Sequence, residues 1–563
     1  MCPGDMRPNL FRYASERGTV QLKGFARLQL FTNALVVNDR LVIFQCKMLL
    51  VTLTFAVLLL RAAVDAAETV VLPPISVKPS NASQVLDPRL ASFSIEFSYM
   101  TSFGGNKTNP NTLTRELMQR LVERTGVGPD VRPGGITIDS SVYSSTAPAL
   151  VLDESPAGGI FRTTFGPAWY ESLEAFPDSS LIVVTVNLGN DTIQFARDEI
   201  QAAIEHIGWK RIRAFELGNE PDHYPGGSRP PQWSSSDYTA QYLGWTAFLS
   251  RNLSLPSHIF QAGGFVDTWS TKDIIDEGVD TTGSVKLFAQ HTYQYSTCDP
   301  ARNTIATLPN LVNHQNITAY LSQWKLQVAA AKSVGKEFVV GEYNSVSCSG
   351  KENVTNTFGQ ALWLADTILF AGSMDISRMY LHQGATLVLQ SSQQANTPGF
   401  SWYDLWYPVP TDRYGSARAS PSFVAYLLIA ETIGSSNQSH IALLPSISSH
   451  PQFAAYAVWD PATRASDVAR LVLLNLATRI ITSTEEEKEA IAVTVDLSPY
   501  VRENQHATMK RMTALGLDST DSRTATWAGQ SYENGTASGV EVIESLDEGK
   551  VTVQGSEGVL VFF

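Results

Sequence analysis

Several features that would assign this chain to a particular class of protein are missing from its sequence. Basic residues are in deficit: 41 Lys and Arg stand against 54 Asp and Glu, a formal net charge of −13. This argues against a sequence-independent nucleic-acid binder, because such binding depends on Lys and Arg that neutralise phosphates. No P-loop and no G-x-G-x-x-G segment follows a predicted strand, so a phosphate- or nucleotide-binding α/β protein is only weakly supported. We find no internal repeat and no long linker.

The sequence also lacks a cluster of metal ligands. His223 stands alone beside Asp222, and a solvated pair is the simpler interpretation. We therefore expect no metal and no other cofactor.

What is present is typical of a large globular protein. The 563 residues exceed the roughly 250–300 at which one hydrophobic core stops growing, so two or more packed units are expected. With 44% hydrophobic and 17% charged residues, the composition is neither low-complexity nor disordered.

One apolar segment near the amino terminus is typical of a secretory signal. Met48–Leu60 is a run of 13 apolar or small residues, and Val64 and Ala66 stand at the −3 and −1 positions of a cleavage site. At about 20 Å of helix, the run is too short to span a bilayer. We predict that residues 1–66 are removed and that the protein is secreted. Two alternatives stay open: Met48 is the true start, or residues 41–60 form a membrane anchor.

The predicted mature chain is more acidic than the whole. It keeps 33 basic and 50 acidic residues, a net charge of −17. Cys2 and Cys46 leave with the extension, and the remaining pair, Cys298 and Cys348, forms either a disulfide or two buried thiols. Eight Asn-x-Ser/Thr sequons follow the signal, which fits a glycosylated secretory protein. They begin at Asn81, Asn106, Asn190, Asn252, Asn316, Asn353, Asn437 and Asn534.

The middle of the chain alternates short apolar runs with amphipathic stretches of helical period. The predicted strands are Phe93–Phe97, Gly128–Arg132, Leu181–Val186, Ile212–Leu217, Ile259–Ala262, Val285–Gln290, Glu337–Val340 and Arg378–Leu381. The predicted helices include segments around Leu113–Val122, Ile193–Ile207, Tyr238–Leu249, Ala319–Ala331, Phe358–Phe370 and Phe423–Ile433. Eight strands alternating with helices predict a (β/α)8 barrel, with a doubly wound open sheet as the alternative.

The pattern changes after residue 435. Apolar runs separated by charged or Gly/Ser/Thr-rich turns, without a sustained helical period, predict an antiparallel β-sandwich over Ser448–Phe563. We expect residues 1–66 as extension and signal and 67–90 as a strand joining the β-domain, by way of Thr69–Val77. Residues 91–415 are expected to form the barrel, and 416–563 the last barrel helix and the sandwich.

Two glutamates end predicted barrel strands, where such barrels place catalytic groups. The fourth strand leads into Asn219 and Glu220, and the seventh leads into Glu342. Two carboxyl groups facing one cleft suit glycosidic hydrolysis, in which one protonates the leaving oxygen and the other attacks the anomeric carbon or activates water. We interpret the neighbouring Glu216 and Asp222 as solvated loop residues.

These residues carry a resemblance to a known family. Asn-Glu-Pro on a fourth strand with Gly-Glu on a seventh is similar to the clan of retaining glycosidases built on this barrel. Within the clan the sequence most resembles glycoside hydrolase family 79, the β-glucuronidases and heparanases. The similar motifs are FELGNEPDHY at 215–224, VRPGGITID at 131–139, and QHTYQY at 290–295 followed by VVGEYNSVSCSG at 339–350. The likeness covers roughly residues 70–563.

The resemblance implies a role for several positions. Glu220 would be the general acid/base and Glu342 the nucleophile of a double displacement, with mutual repulsion keeping Glu220 protonated. Asn219 would bond the sugar 2-hydroxyl, and Glu96 another hydroxyl. Tyr293 would donate to Glu342, with a core tyrosine as the alternative interpretation.

The same resemblance bears on recognition of a uronate carboxylate. The family commonly has a Tyr five residues after the nucleophile, followed by glycines, whereas this chain has Ser347 there. Backbone donors of Ser349 and Gly350 would remain, and Tyr403 is the best candidate for a second tyrosine. Our hypothesis is that the absence of a tyrosine ring at position 347 leaves room for a substituent such as a 4-O-methyl group. Four further polar residues near strand ends are not assigned as contacts: Arg132, Asp139, His291 and His382.

In the implied barrel, Cys298 and Cys348 follow neighbouring strands, so we predict a Cys298–Cys348 disulfide at the catalytic rim. The sequence shows no basic clusters and is acidic overall, which favours an exo-acting β-glucuronidase over a heparanase that binds a sulfated polyanion. The alternatives are another retaining glycosidase of the clan, such as a xylanase, glucosylceramidase or arabinofuranosidase, or a non-catalytic carbohydrate-binding protein. The expected partner is a carbohydrate, and the oligomeric state is left open.

Overall fold

The computed structural model describes residues 69–72, 78–154, 160–384, 400–464, 467–501 and 506–563. The predicted signal segment, the alternative anchor at 41–60, Cys2, Cys46 and residues 73–77 of the predicted first strand lie outside these ranges. Within them, no helix has both the length and the apolar character needed to cross a membrane.

The strands are numbered along the chain. They are β1 (Thr69–Val71), β2 (Ala91–Glu96), β3 (Val131–Gly134), β4 (Ser141–Tyr143), β5 (Leu150–Glu154), β6 (Ile160–Phe165), β7 (Ile182–Val186), β8 (Ile212–Leu217), β9 (Phe260–Phe265), β10 (Val285–Ser296), β11 (Glu337–Ser347), β12 (Arg378–Gln383), β13 (Trp406–Tyr407), β14 (Arg418–Ala419), β15 (His440–Leu443), β16 (Phe453–Trp459), β17 (Val468–Asn475), β18 (Val493–Asp496), β19 (Thr508–Thr513), β20 (Thr526–Trp527), β21 (Glu544–Ser545), β22 (Lys550–Val553) and β23 (Glu557–Phe562).

The helices are numbered in the same way. They are α1 (Met100–Gly104), α2 (Thr112–Thr125), α3 (Ile193–His206), α4 (Ser235–Leu253), α5 (Thr271–Asp276), α6 (Pro300–Ile305), α7 (Leu308–Leu311), α8 (His314–Leu321), α9 (Lys325–Ser333), α10 (Phe358–Ser373), α11 (Val424–Ile433) and α12 (Glu485–Ile491).

Eight parallel strands close into a barrel in the order β2-β3-β7-β8-β9-β10-β11-β12, and β12 pairs with β2. The predicted (β/α)8 barrel is therefore confirmed, and an open doubly wound sheet is excluded. Each of the eight predicted strands corresponds to one of these. Strands such as β7, with the sequence IVVTV, are buried at every position, as expected for strands covered on both faces.

Two barrel strands run well beyond their predicted ends. β10 and β11 stay paired up to Ser296 and Ser347, although their apolar runs stop near Gln290 and Val340. Most of the added residues are polar, and five of them line the cavity described below: Thr292, Tyr293, Gln294, Glu342 and Ser347. Polar residues hide a strand from a pattern based on hydrophobicity.

Three further features were not predicted. A small sheet, β4-β6-β5, is inserted after β3. The helix predicted at Ala319–Ala331 is two helices, α8 and α9, joined by a 3-10 turn at Ser322–Trp324. The β-domain contains α12, whose capping box links Thr484 and Glu487; none of its residues is buried, so it has no apolar face to detect.

The carboxy-terminal sheets form the predicted sandwich. An antiparallel sheet, β15-β16-β17-β23-β19-β20, faces a three-stranded sheet, β1-β18-β22. Alternation along β17 gives the large sheet two apolar faces: Leu471 and Leu473 pack in the sandwich core with Val493, whereas Val472 and Leu474 pack with α11 in the core shared with the barrel. The β-domain is thus attached to the barrel through a continuous apolar contact.

A cluster of charges closes the base of the barrel, at the amino ends of its strands. Arg378 donates through Nη1 to Glu337 at 2.6 Å and through Nη2 to Asp87. Its Nε lies 3.3 Å from Asp130, which also lies 2.5 Å from Nε of Arg213. Every carboxylate of this group is paired with an arginine of the same group.

Candidate active site

A cavity of about 450 Å³ opens at the carboxyl ends of the barrel strands, the end at which such barrels place their chemistry. Six of the predicted site residues line it, namely Glu96, Asn219, Glu220, Tyr293, Glu342 and Tyr403. Residues from the ends of four strands, β2, β8, β10 and β11, and one residue from the loop before β13 therefore converge on one site.

Glu220 follows β8 on a tight turn that only particular residues can form. Gly218 has φ 78°, and a Cβ there would lie 2.3 Å from the Tyr224 hydroxyl and 2.7 Å from Leu188. Glu220 itself has φ 50°, in the left-handed region. The turn carries the glutamate away from the strand and into the cavity.

Glu342 lies in β11, where both of its oxygens accept hydrogen bonds. Tyr293 donates its hydroxyl to Oε1 at 2.8 Å, as the resemblance implied, and Arg132 donates Nη1 to Oε2 at 2.9 Å. His382 lies 3.5 Å from the same Oε2. Because these partners come from three strands, the carboxylate is held in one orientation.

Arg132 connects the two walls of the site. This fully buried residue donates Nε to Glu216 at 2.6 Å and Nη2 to the Asn219 side chain at 3.0 Å, in addition to its bond to Glu342. Glu216 is buried and also accepts from Thr185 at 2.8 Å, so its interpretation as a solvated loop residue was wrong. A planar guanidinium can bridge three acceptors in this way, which an ammonium cannot.

The two glutamates are close enough for a double displacement. Ligand atoms of Glu220, His291 and Glu342 lie within 4.8 Å of one another, compatible with the roughly 5–5.5 Å between carboxyl groups in retaining glycosidases. Among the described residues, these three are also the one group of His, Cys, Asp and Glu side chains spaced to hold a metal ion.

Charges around the site set the protonation of both glutamates. Burial raises the pKa of Glu342, but His382, His291 and Arg132 together bring it below its ordinary value. Of these, Arg132 is charged at every pH, whereas burial lowers the pKa of His382. Glu342 is therefore ionised, as a nucleophile must be.

The pKa of Glu220 is shifted in the opposite direction from the one that we expected. Burial raises its pKa, but contacts with His223 and His291 bring it below the ordinary value. Nδ1 of His291 lies 3.2 Å from Oε1, and Nδ1 of His223 lies 3.5 Å from Oε2. Repulsion from Glu342, which would raise the pKa of Glu220, is weaker than these two contacts.

Two further interpretations from the sequence were wrong at this turn. Asp222 is not a solvated residue: it is buried and accepts from the backbone N–H groups of Asp267 at 2.8 Å and Thr268 at 3.0 Å. His223 does not pair with Asp222 in solvent, because its Nε2 lies 2.9 Å from the Asp267 carboxylate.

Two further polar residues of the cavity suit sugar hydroxyls. The side-chain oxygen of Asn219 accepts a hydrogen bond from Arg132, so the side-chain NH2 group of Asn219 remains available to a ligand. Glu96 is buried, and its Oε1 accepts from the backbone and hydroxyl of Thr137. Burial raises the pKa of Glu96 to about 8, so its carboxyl group is neutral at pH 7 and can donate as well as accept.

The loop after β11 differs from the expectation for a carboxylate site. Ser347 and Cys348 line the cavity, but Ser349 and Gly350 do not. The Gly350 N–H donates to Val346 at 3.1 Å and is therefore not available to a ligand. Ser349 is buried. Tyr403 does reach the cavity, with its ring centroid 6.5 Å from that of Tyr293.

Sequence reasoning missed Arg302, a cation in the cavity wall. Its Nη2 donates to the carbonyls of Tyr293 and Tyr295. It lies in α6, beyond the end of a barrel strand, so no strand-end pattern could indicate it. Asp139, left unassigned, accepts from the Asn219 N–H at 3.2 Å and from the Tyr224 hydroxyl at 2.7 Å, and so supports the turn from outside the cavity.

The rim of the cavity is cross-linked. Cys298, after β10, and Cys348, after β11, form a disulfide with their Cα atoms 6.0 Å apart. The side chains of seven predicted glycosylation sites are exposed, whereas Asn316 is half-buried and donates to the Asn310 carbonyl at 3.2 Å.

Comparisons with known proteins bear on both parts of the molecule. Residues 455–560 match the model of the glycosyl hydrolase family 79 C-terminal β domain. A β-glucuronidase of Aspergillus niger is 26% identical over 522 residues, covering 86% of this chain and 90% of the relative. A β-glucuronidase of Neurospora crassa is 27% identical over 446 residues, covering 73% and 76%.

Solved structures share the fold. The crystal structure of a 4-O-α-L-rhamnosyl-β-D-glucuronidase from Fusarium oxysporum has a TM-score of 0.71 at 23% identity, covering 88% of this chain and all of that one. A family 51 α-L-arabinofuranosidase from Bifidobacterium longum has a TM-score of 0.57 at 14% identity, with coverage of 88% and 100%.

Proposed function

This chain belongs to glycoside hydrolase family 79, and from that premise we propose that it is a retaining exo-β-glucuronidase. It hydrolyses terminal β-linked glucuronic acid by double displacement. The observation that carries the proposal is the pair formed by Glu220 and Glu342 in one cavity, the latter held in one orientation by Arg132 and Tyr293.

In the first step, the Glu342 carboxylate attacks the anomeric carbon while Glu220 gives a proton to the leaving oxygen, which forms a covalent glycosyl intermediate. In the second step, Glu220 takes a proton from a water molecule that attacks the same carbon and releases Glu342. Because Arg132 and Tyr293 fix both oxygens of Glu342, the nucleophile needs little reorganisation before attack.

Asn219 and Glu96 bind the sugar in this assignment. The Asn219 NH2 group donates to the 2-hydroxyl, a contact that strengthens as charge develops on the ring. The neutral carboxyl group of Glu96 bonds a second hydroxyl. Both side chains are buried, so few rotamers are lost when the sugar binds.

Recognition of the uronate carboxylate requires donors, since this group distinguishes glucuronate from glucose. With the Gly350 N–H already bonded, we assign the role to Tyr403 and Arg302, which both line the cavity. An Arg302→Gln variant is expected to raise KM for glucuronides and to leave KM for glucosides unchanged. An equal rise for both substrate classes would refute this assignment.

The site also bears on substitution of the uronate. Ser347 lines the cavity where the family commonly has a tyrosine, and a smaller side chain leaves space for a 4-O-methyl group. A 4-O-methyl glucuronide should therefore be turned over faster than the plain one. Comparable rates would count against this hypothesis.

Secretion completes the proposal. The disulfide at the cavity rim and the exposed sequons suit an oxidising, glycosylating route. Mass analysis of protein recovered from culture medium would detect the glycans and the start of the mature chain. A chain retained in cells at full length would contradict secretion.

The deciding experiment is proton NMR of the products formed from a β-glucuronide. We expect the β-anomer of glucuronic acid to appear first and the α-anomer only later, by mutarotation. First appearance of the α-anomer would refute Glu342 as nucleophile, and release of a different sugar would refute the substrate assignment.

A further inference from the structure

The disulfide between Cys298 and Cys348 belongs to the wall of the cavity. Cys348 lines the cavity, whereas Cys298 is exposed. Thr297, next to Cys298, donates its hydroxyl to the Cys348 carbonyl at 2.9 Å. The segments that follow β10 and β11 are therefore joined at the mouth of the site by a covalent bond and by a hydrogen bond.

The loop that begins with Cys348 has an uncommon backbone. Cys348, Ser349 and Gly350 follow one another in the left-handed region, with φ of 63°, 71° and 75°. Residues with a Cβ rarely adopt this conformation, and they keep it only where their surroundings hold them. The disulfide fixes the start of the loop, and the bond from the Gly350 N–H to the Val346 carbonyl at 3.1 Å fixes its end.

This loop contacts the turn that carries Tyr403 into the cavity. The Trp402 N–H donates to the Ser349 carbonyl at 2.9 Å. Gly350 lies directly against the same turn, since a Cβ at Gly350 would be 2.8 Å from the backbone nitrogen of Tyr403. The position of the loop therefore sets the distance between Tyr403 and β11.

The turn has a second anchor. Asp404 accepts from the Gly384 N–H, just after β12, at 2.9 Å, and from the Ser401 N–H at 3.0 Å. The turn thus keeps its own shape without the loop. We expect a change in the loop to displace Tyr403 within the cavity without unfolding the turn.

Arg302, the other residue assigned to the uronate carboxylate, is held in a different way. Its Nη2 donates to the carbonyls of Tyr293 and Tyr295, which both belong to β10. The guanidinium is fixed to a barrel strand, whereas Tyr403 is placed through the loop that carries Cys348. The two assigned residues should therefore respond differently to loss of the disulfide.

Building on the proposed function, we propose that Cys298 and Cys348 are positioning residues for recognition of the uronate carboxylate. Their disulfide acts through residues 348–350 and holds the Tyr403 hydroxyl where it meets the carboxylate. Glu342 is oriented by Arg132 and Tyr293, not by this loop. The disulfide consequently governs substrate binding and has little effect on the chemical step.

The test combines Cys298→Ser with Cys348→Ser and follows cleavage of a β-glucuronide. We expect KM to rise about 3- to 10-fold and kcat to change less than about 2-fold. In a Tyr403→Phe background, the same loss of the disulfide should change KM less than about 2-fold, because the hydroxyl that it positions is absent. In an Arg302→Gln background, which is the matched control, KM should rise by the same factor as in the unmodified protein.

Reduction of the unmodified protein gives a measurement that does not depend on the folding of a variant. Dithiothreitol breaks the S–S bond: each sulfur takes up one electron and one proton, and the reagent becomes a cyclic disulfide. KM should rise as in the variant and return on reoxidation. Residues 67–563 contain no other cysteine, and the same treatment of the doubly substituted protein should change nothing.

Two kinds of result would contradict a positioning role. An equal rise in KM with and without the Tyr403 hydroxyl would overturn the proposal and leave the disulfide a structural role. An unchanged KM after loss of the disulfide, or in Tyr403→Phe itself, would overturn it as well. Failure of the unmodified protein to cleave any glucuronide would instead overturn the proposed function.

Discussion

Arg132 and Arg378 are buried arginines at opposite ends of the same barrel, and each is surrounded by carboxylates. At the base, Arg378 pairs with Asp87, Asp130 and Glu337, and Arg213 pairs with Asp130 as well. These charges are satisfied by one another.

At the opposite end, Arg132, Thr185 and Gln261 together satisfy both oxygens of Glu216. Glu342 shares Arg132 with Glu216. Glu342 and Glu220 both line the cavity, so they remain able to react with a bound molecule. The comparison shows that the same kind of buried ion pair is structural where it is closed and reactive where a cavity leaves it open.

The largest expected effect is on rate, at the open end. Glu342→Ala removes the nucleophile, and we expect kcat to fall on the order of 10⁴-fold or more. Thermal unfolding should change less than in the variant of Arg378 described next, because Arg132 keeps Glu216 as a charged partner. Glu337→Gln at the base is the matched control. Residual activity within tenfold of the unmodified protein would place the nucleophile elsewhere.

Arg378→Met should do the reverse. Removing this cation leaves Asp87 without its closest partner and takes one of the neighbouring arginines from Asp130, and breaking a buried pair from one side costs about 3–5 kcal/mol of unfolding free energy. Denaturant unfolding measures this loss. The folded variant should keep its kcat, and a large loss of kcat would show that the two ends of the barrel are coupled.

Arg132→Lys tests whether the bridge itself matters. An ammonium cannot bond Glu216 and Glu342 together, so the pKa of Glu342 should rise. Because activity requires ionised Glu342, the acid limb of the pH profile should move to higher pH. At neutral pH, kcat should be about 10-fold lower. The acid limb of the pH profile is the measurement, and an unmoved limb would assign the lowered pKa of Glu342 to its histidines.

Tyr293→Phe is expected to have the smallest effect. It removes one neutral donor from Glu342 and leaves Arg132 in place, so kcat should fall only about 3-fold and the acid limb should shift less than in Arg132→Lys. Tyr295→Phe is the control, because Tyr295 donates to the Asn310 carbonyl, outside the site. Identical results for both tyrosines would contradict a specific role for Tyr293.

The barrel strands could be predicted from the sequence, because each is a short apolar run that is visible in the local sequence. Ile212–Leu217 was predicted with its observed ends, and it placed Glu220 at the mouth of the barrel. The bonds of Arg132 could not be anticipated, since Glu216 and Glu342 lie 84 and 210 positions away and no periodicity connects them.

The contacts and the protonation of the site residues were harder to predict from the sequence, for physical reasons. Asp267 follows β9 in a loop without an apolar pattern, so nothing indicated its contact with His223. The expectation that Glu220 is protonated considered one neighbouring carboxylate and left out two histidines. Protonation depends on every charge within a few ångströms, which only the folded chain brings together.

The backbone conformation of Glu220 has a consequence for laboratory selection of more stable variants of this protein. Its left-handed backbone, with φ 50°, costs a residue with a Cβ roughly 1–2 kcal/mol, a cost that glycine avoids and asparagine reduces. Replacement by either residue would relieve that strain and remove a charge from the cavity. A selection for heat resistance alone would therefore favour inactive variants at this position, so any such screen needs activity as a second criterion.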